Sequence, residues 1–284
     1  MSLELSVIIP AYNESHRLSK SLQKIFAYLN EQSSGSEVIV VDDGSSDGTA
    51  DVAEQSFTKS GRTATQLIRL ERNRGKGYAV RTGLRAASAP IALFSDTDLS
   101  APITETPKLV VPIKQGEQDV TFGSRALDRR LIGIHQPWRR EQGGRVFNLI
   151  VRLATKSPFW DTQCGFKAFR MSVCRPIIEA ATIDRFGFDV ELLYVARLAG
   201  LRVKEIPVRW DHDDGSKLDV LRDSIRMLDE VRIIRQQARR GFYEKAIIAS
   251  HEIAVGEREQ RLNAFGIASA MESDVSSELA TRRI

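Results

Sequence analysis

The chain has 284 residues, 42% of them hydrophobic and 27% charged, which predicts an ordinary soluble globular protein. Its net charge of +4 is too small to indicate nucleic-acid binding, and no apolar run approaches the roughly 20 residues needed to cross a bilayer. The first residues, MSLELSVIIPAYNE, lack the basic region and cleavage site of a secretory signal. Cys164 and Cys174 do not form a CxxC pair, which predicts two reduced thiols in a cytoplasmic protein.

Strands and helices alternate in the first third of the chain. Four nearly continuous apolar runs predict buried strands, at residues 5–9, 37–41, 66–70 and 91–94. Helical periodicity predicts three helices between them, at residues 15–30, 49–56 and 77–87. This alternation predicts an α/β fold with a mostly parallel, Rossmann-like sheet that has helices on both faces.

The pattern becomes less regular after residue 118. Further strands are predicted at 119–122, at the end of 161–170, and at 203–210, where a proline indicates a sheet edge. Helices are predicted at 146–153, 188–198 and 218–248. The Arg-rich segment 126–144 has the composition of a mobile loop. We expect one domain over 1–217 and a C-terminal helical extension over 218–284, whose tail has the composition of a disordered segment.

Polar residues follow three of the predicted strands. Asn13 and its neighbours follow the first strand, Asp42 and Asp43 follow the second, and Asp96 and Asp98 follow the fourth. Ligands bind outside the carboxyl ends of the strands in open α/β sheets. We therefore expect these side chains to converge on one crevice.

Asp96 and Asp98 stand one residue apart at the end of an apolar run. Like charges held close raise each other's pKa unless a cation neutralises them. Mg²⁺ and Mn²⁺ take one or two carboxylates and complete their shell with water and substrate phosphates. The pair therefore suits a metal–diphosphate, although such a pair alone more often caps a turn and faces solvent.

Two further motifs suit a nucleotide. Asp42, at the start of DDGSSDGT, can accept a hydrogen bond from a base or a ribose hydroxyl. Arg74 and Lys76 lie in a glycine-rich turn before a helix, a setting that favours an anion or a nucleotide edge. Neither motif is a Walker A loop or a GxGxxG fingerprint, so neither of those binding modes is predicted.

The motifs taken together carry a family resemblance. SVIIPAYNE, VVDDGSSDGT, NRGKGYAVRTG and FSDTDLSAP look like successive motifs of family 2 glycosyltransferases, which have the GT-A fold. FGSR, DTQCGFKAFR, FGFDVELLYVA and EIPVRW…DDGSKL resemble those of polyprenyl-phosphate sugar synthases, and the most similar subgroup is dolichyl-phosphate glucosyltransferase with its bacterial relatives. The resemblance covers residues 4–225.

The resemblance implies site roles residue by residue. It implies nucleotide-sugar contacts at Pro10, Ala11, Tyr12, Glu14, Asp42, Asp43, Arg74, Lys76, Asp96, Gln163 and Lys217. It implies a divalent metal, Mg²⁺ or Mn²⁺, on Asp96 and Asp98. It implies catalytic roles for Asp96, Asp98, Arg125 and Asp161. It implies an acceptor-phosphate site at Arg125 together with Arg139, Arg140 and Arg145 as candidates. Gly165, Asp189 and Glu191 match neighbouring motifs, whereas His212 is expected on the surface.

The implied reaction is metal-dependent, inverting transfer of a sugar, glucose from UDP-glucose, onto a polyprenyl phosphate. A phosphate monoester, with a second pKa of about 6, is largely ionised at pH 7 and needs cationic clamps rather than a base. The Arg-rich segment 126–144 fits that demand. The alternative is a hydroxyl acceptor on a polysaccharide, glycolipid or small metabolite. It needs a general base, for which Asp161 is the first candidate.

Two other classes of protein are disfavoured. A nucleotidyltransferase would place a glycine-rich basic loop after the first strand, where this chain has PAYNE. A non-catalytic nucleotide-sugar binder would not need the intact Asp96 and Asp98 pair. Trp138, Trp160 and Trp210 are expected to pack rather than to bind sugar.

The predicted helix at 218–248 has two interpretations. Its apolar residues repeat at helical spacing, at Leu221, Ile225, Leu228, Val231 and Ile234, with arginines on other faces. Such a helix can lie on an anionic leaflet, as a peripheral contact at the inner face of the membrane. It can equally pack on the main domain with a solvated basic face, which is slightly favoured.

Overall fold

The computed structural model describes residues 2–134, 138–212 and 220–264. Side chains are described in these ranges except at 138–142, 145–147, 220–225 and 264. Within the described part, no helix combines the length and the apolarity that crossing a membrane requires.

A seven-stranded sheet forms the centre of the structure. The strands run β1 (Leu3–Ala11), β2 (Gly35–Asp42), β3 (Ala64–Arg69), β4 (Ile91–Ser95), β5 (Val120–Ser124), β6 (Ile132–Ile134), β7 (Phe166–Arg170), β8 (Val203–Pro207) and β9 (Trp210–Asp211). The sheet order is β3-β2-β1-β4-β7-β5-β8, and only β7 is antiparallel to its neighbours. β6 and β9 form a separate parallel pair. The expected mostly parallel sheet is confirmed, and β8, which ends at its proline, lies at an edge as predicted.

Nine α-helices occupy the described ranges. They are α1 (Ser15–Glu31), α2 (Thr49–Phe57), α3 (Lys76–Ala86), α4 (Thr106–Lys114), α5 (Trp138–Thr155), α6 (Met171–Ala180), α7 (Phe188–Leu198), α8 (Val220–Arg239) and α9 (Glu244–Ala264). Along β1, Ile8 packs in one hydrophobic layer with α3, α6 and α7, while Val7 and Ile9 pack in the opposite layer with α1 and α4. Helices therefore cover both faces of the sheet, as its continuous apolar strands predict.

Two helices, α4 and α6, are absent from the sequence prediction. Pro112 lies inside α4 and Pro176 inside α6, and proline removes a helical hydrogen bond. In α4 the buried Leu109 and Ile113 pack on the sheet layer, so tertiary burial outweighs the local preference.

The loop prediction for 126–144 is wrong over much of its length. Residues 132–134 form β6 and pair with β9, and α5 already begins at Trp138. The prediction of one helix over 218–248 is also wrong, because the chain turns between α8 and α9. Gly241 adopts a φ of 74° in that turn, a left-handed conformation that favours glycine. α9 then continues helically to Ala264, where the sequence indicated nothing firm.

The C-terminal helices pack on the main body. Val231 and Ile234 of α8, and Tyr243 after it, are buried in the same layer as α3, α6 and α7. The apolar stripe of α8 thus faces protein at these positions, which agrees with the packing interpretation there. The domain division at 217/218 stays a prediction.

We predict that Gly83→Ala destabilises the protein. A Cβ at Gly83 in α3 would overlap the side chain of Ile8 and lie 3.1 Å from that of Val41. Overpacking of this kind costs about 1–3 kcal/mol in the free energy of unfolding. Gly256→Ala in α9 is the matched control, because a Cβ there meets nothing within 4 Å and alanine favours a helix by about 1 kcal/mol. Chemical denaturation measures both, and equal stability of Gly83→Ala and wild type would contradict this packing.

Candidate active site

Polar residues after β1, β2 and β4 meet at one edge of the sheet. The backbone N–H of Asp43 donates to the carbonyl of Ala11 at 2.8 Å, and the hydroxyl of Thr97 donates to the carbonyl of Pro10 at 2.6 Å. These bonds join the ends of the three strands. The crevice that the strand order predicts is therefore built from these segments.

A lysine is ion-paired with the first of the two carboxylates that follow β4. Lys76, the first residue of α3, places Nζ 2.6 Å from Oδ1 of Asp96. Burial alone would lower the pKa of Lys76, but the charges of Asp96, Asp189 and Asp98 outweigh it and raise that pKa. Burial and the charge of Asp96 raise the pKa of Asp98. The counter-ion that the sequence demanded for this pair is thus partly supplied by the protein itself.

A second lysine is ion-paired with Asp189, another carboxylate of this cluster. Lys167 in β7 is fully buried, with Nζ 2.7 Å from Oδ1 of Asp189 and 2.6 Å from the carbonyl oxygen of Cys164. Burial raises the pKa of Asp189, although Lys167 and Lys76 oppose it. Lys76, Lys167 and Arg17 act on Asp96, Asp98 and Asp189, but Arg17 is itself paired with Glu14, so the carboxylates still outnumber the cations. This cluster favours an additional cation.

Gly165 allows β7 to approach Asp96 closely. A Cβ at Gly165 would overlap the carboxylate of Asp96, and the Asp96 backbone N–H donates to the Gly165 carbonyl at 3.0 Å. Any side chain at 165 would displace the carboxylate. The glycine of DTQCGF therefore positions the first aspartate.

The donor set of the cluster fits a hard divalent cation. Asp96 and Asp98 offer carboxylate oxygens, the ligands that Mg²⁺ and Mn²⁺ prefer, and two carboxylates suffice when substrate phosphates complete the shell. The described residues contain no group of three or more His, Cys, Asp or Glu that could hold a metal ion. A metal ion at Asp96 and Asp98 would therefore need further oxygen ligands from water or from a bound molecule.

The carboxylate of Asp43 anchors the start of α3. It accepts the backbone N–H groups of Arg74 at 2.7 Å and of Gly75 at 2.8 Å. Burial raises the pKa of Asp43, and these two hydrogen bonds oppose the rise. The sequence predicted that this turn binds an external anion. For the backbone that prediction is wrong, because its N–H groups bind the carboxylate of Asp43. The roles expected of the Arg74 and Lys76 side chains stay predictions.

The glycines of this turn serve a close backbone contact. Gly75 has a φ of 112°, and a Cβ at Gly75 or Gly77 would overlap the carbonyls of Asp184 and Ile183. The turn is thus packed against the segment before α7. It is not an open phosphate loop.

The remaining predicted nucleotide contacts surround this edge. Tyr12 is exposed, and Glu14 is ion-paired with Arg17. The guanidinium of Arg74 lies 3.9 Å from the ring centroid of Tyr78, which orients it by a cation–π contact. The nucleotide contacts expected of Tyr12, Glu14 and Arg74 stay predictions.

Other residues of the nucleotide prediction are more enclosed. Pro10, Ala11 and Asp42 are buried. The carboxylate of Asp42 accepts the backbone N–H of Ser45 at 3.0 Å, which holds the DDGSSDGT turn in shape.

Arg125 and Asp161 form a two-pronged ion pair. Nε of Arg125 lies 2.6 Å from Oδ2 of Asp161, and Nη2 lies 2.7 Å from Oδ1. The backbone N–H of Arg125 also donates to Oδ2, at 3.0 Å. Asp161 is buried, whereas the side chain of Arg125 is 28% exposed. The guanidinium is thus held by the carboxylate, and the Trp210 ring centroid lies 5.5 Å from its central carbon.

The pair leaves Asp161 poorly suited to accept a proton. Burial alone would raise the pKa of Asp161, but the charge and hydrogen bonds of Arg125 outweigh it and lower that pKa. Both carboxylate oxygens are engaged by Arg125. The candidate general base of the sequence analysis is therefore the anchor of an arginine.

Glu205 in β8 holds this pair in place, and the sequence analysis did not single it out. Its carboxylate accepts the hydroxyl of Ser124 at 2.6 Å and the backbone N–H groups of Trp160 and Asp161, both at 2.8 Å. Only its position on an edge strand could have marked it. Lys167, also missed, had a clearer signal, since it is a lysine inside the apolar run of β7.

The DTQCGF segment also contacts the C-terminal helices. Nε2 of Gln163 lies 2.8 Å from Sδ of Met227 in α8. Burial raises the pKa of the Cys164 thiol to about 12, which fits an unreactive cysteine. Gln163 is thus oriented by α8.

Some predicted residues lie outside the described part. These are Lys217 and the side chains of Arg139, Arg140 and Arg145.

Glu191 has a structural role. It accepts hydrogen bonds from the Thr182 and Ile183 backbone and from the hydroxyl of Tyr243. His212 stacks on Trp210, which is buried, but the packing prediction is wrong for Trp160, which is exposed.

Residues 6–178 match the family model described as Glycosyl transferase family 2. The chain belongs to this family and is a glycosyltransferase. Relatives named dolichyl-phosphate beta-glucosyltransferase include that of Drosophila melanogaster, 40% identical over 76% of this chain and 70% of that one. Those of Dictyostelium discoideum (82% and 74% covered) and Homo sapiens (76% and 69% covered) are each 33% identical.

Solved structures agree with the fold. Glucosyl-3-phosphoglycerate synthase from Mycobacterium tuberculosis, in complex with Mn²⁺, UDP and glucosyl-3-phosphoglycerate, matches with a TM-score of 0.59 at 20% identity, covering 82% of this chain and 79% of that one. The same enzyme with Mn²⁺ and UDP-glucose also gives 0.59 at 20% identity, covering 82% and 78%. The expected GT-A fold is confirmed.

We predict that Lys76→Met strengthens Mn²⁺ binding in the absence of nucleotide by on the order of tenfold. Without the ammonium, Asp96 loses its ion pair and the repulsion between Asp96 and Asp98 increases, which favours a divalent cation. Electron paramagnetic resonance of free Mn²⁺ measures the affinity. Lys76→Arg keeps the charge and serves as control. Unchanged or weaker binding in Lys76→Met would argue against a metal at this pair.

Proposed function

We propose that this glycosyltransferase transfers glucose from UDP-glucose to a polyprenyl phosphate, with inversion and with a divalent metal. The observation that carries the proposal is the Arg125–Asp161 pair. It presents a fixed arginine whose side chain is partly exposed, and it withholds the neighbouring carboxylate from proton transfer. Such a site suits an acceptor that is already an anion.

The relatives support the choice of substrates. Those of Drosophila melanogaster, Dictyostelium discoideum and Homo sapiens are named for glucosyl transfer to dolichyl phosphate with a β product. UDP-glucose carries an α-linked sugar, so a β product requires inversion. Attack by the acceptor phosphate from the face opposite the departing UDP gives that outcome in one step.

The residues of the site divide the work in this proposal. Arg125 binds and orients the acceptor phosphate, whose second pKa of about 6 leaves it largely ionised at pH 7. Asp161 keeps the Arg125 fork in the required plane. Lys76 and the aspartates after β4 face the donor's diphosphate.

Asp96 and Asp98 would hold Mg²⁺ or Mn²⁺. The bound metal would stabilise the negative charge that develops on the UDP leaving group. The placement of Asp96 depends on Gly165 and Lys76, which the structure holds against it.

A hydroxyl acceptor is the alternative, and the site favours it less. It requires a general base whose pKa is close to the working pH. Asp161 has a lowered pKa, and both of its carboxylate oxygens accept hydrogen bonds from Arg125. The alternative therefore loses its first candidate base.

We also propose that the enzyme works on the cytoplasmic side of a membrane as a peripheral protein. A water-soluble donor and a lipid acceptor meet only at a membrane surface. Both cysteines are free and buried, which suits a reducing compartment.

A transfer assay tests the proposal. Purified protein with Mn²⁺, labelled UDP-glucose and detergent-solubilised polyprenyl phosphate should yield labelled lipid, and Asp98→Asn should lose at least about a hundredfold of the rate because the metal loses a ligand. Removal of metal by a chelator should stop the wild type as well. Binding of UDP-glucose without lipid labelling would overturn the lipid acceptor and leave the donor site standing.

Arg125→Lys should raise KM for the lipid phosphate by about tenfold and leave KM for UDP-glucose nearly unchanged. Lysine keeps the positive charge but loses the two-pronged geometry toward Asp161 and phosphate. Arg209→Lys is the matched control, because Arg209 is an exposed arginine directly before β9. Equal increases in both KM values would contradict an acceptor role for Arg125.

A further inference from the structure

Apolar side chains are exposed on α5 and the segment after it. Leu149, Ile150 and Leu153 of α5 are 52%, 39% and 73% exposed, and Trp160 is 55% exposed. Val151, between them, is fully buried in the core. A helix packed on a globular domain normally turns polar residues to solvent, so a concentration of large apolar side chains indicates a contact surface.

A groove of about 540 Å³ runs between α5 and α8 next to these residues. Its apolar lining comes from Ile150, Ala154, Leu228 and Val231. The remaining lining residues are Arg232, Arg235, Gln236 and Arg239, all from α8. We call the exposed residues of α5, Trp160 and this groove the α5–α8 face.

The described ionisable residues of the groove carry charge of one sign. Among the side chains that the structure describes, each ionisable one that lines the groove is an arginine. On the α5 side, the guanidinium of Arg152 lies 3.6 Å from the Trp160 ring centroid. Apolar side chains flanked by arginines, with a tryptophan among them, are typical of segments that lie in the interface of an anionic bilayer.

The face begins where the proposed acceptor site ends. Trp160 directly precedes Asp161, and Glu205 accepts the backbone N–H of both. Gln163 contacts Met227 of α8. A membrane on this face would therefore lie beside Arg125, where a lipid phosphate has to arrive.

We propose that the α5–α8 face docks on an anionic membrane surface, with Leu149, Leu153 and Trp160 inserted among headgroups and the α8 arginines bound to lipid phosphates. This goes beyond the sequence interpretation of α8, whose Val231 and Ile234 are buried against protein. The inserted residues come from α5 and Trp160 instead. The purpose of this docking rests on the proposed function. The docking itself does not, because it needs no acceptor lipid.

Vesicle co-sedimentation tests the docking without any polyprenyl phosphate. The protein should bind vesicles of equal parts phosphatidylglycerol and phosphatidylcholine and bind pure phosphatidylcholine much less. Leu149→Asp with Leu153→Asp should weaken binding by on the order of tenfold or more through lost insertion and charge repulsion. Arg232→Gln with Arg235→Gln should weaken it by about fivefold per arginine, and high salt should do the same.

Val111→Asp is the matched control. Val111 is an exposed apolar residue of α4, on the opposite layer of the sheet, so vesicle binding should not change. Transfer to detergent-solubilised acceptor should stay near wild type in every variant, which shows that the fold and the active site are intact. If wild-type protein binds vesicles but transfers no glucose, the proposed function is wrong and the docking surface still stands.

Two results would overturn the docking. One is equal binding to anionic and neutral vesicles that the α5 and α8 variants do not change. The other is a dimer, seen by light scattering, that Leu149→Asp with Leu153→Asp converts to monomer while vesicle binding persists. In that case the face would be a contact between two copies of the chain.

Discussion

Two aspartates held side by side at the end of β4 are the constraint on which the site depends. Each raises the free energy of ionising the other, and burial raises it further, so the pKa of Asp98 is high. The fold answers with cations placed by separate elements, Lys76 by α3 and, through Asp189, Lys167 by β7. The carboxylates of the resulting cluster are only partly compensated, which favours a divalent cation beside Asp96 and Asp98.

The balance between carboxylates and cations differs between the two halves of the crevice. On the donor side the carboxylates outnumber the lysines, which favours a cation. On the acceptor side a single buried carboxylate, Asp161, is matched by Arg125, so neither group is left to titrate near neutral pH. Glu205 fixes this pair from the edge strand. This arrangement supports the proposed anionic acceptor, because it leaves Asp161 poorly suited to accept a proton.

Much of the first half of the chain was predictable because its structure is local. The continuous apolar runs of β1 to β4 and the periodicity of α1 to α3 express burial directly in sequence, and the polar residues follow from the strand ends. The prediction failed where long-range packing decides. Leu109 and Ile113 keep α4 helical in spite of Pro112, and β6 exists only because β9 pairs with it.

The sequence by itself determined the family, the parallel sheet and the carboxylates of the crevice, because residue type and spacing encode them. The tertiary structure alone decided what those groups do. It assigned the carboxylate of Asp43 to the start of α3, paired Asp161 with Arg125, and exposed Leu153 and Trp160 beside the arginines of α8. Hydrogen-bond partners, pKa shifts and solvent exposure depend on residues distant in the chain, so no local pattern could specify them.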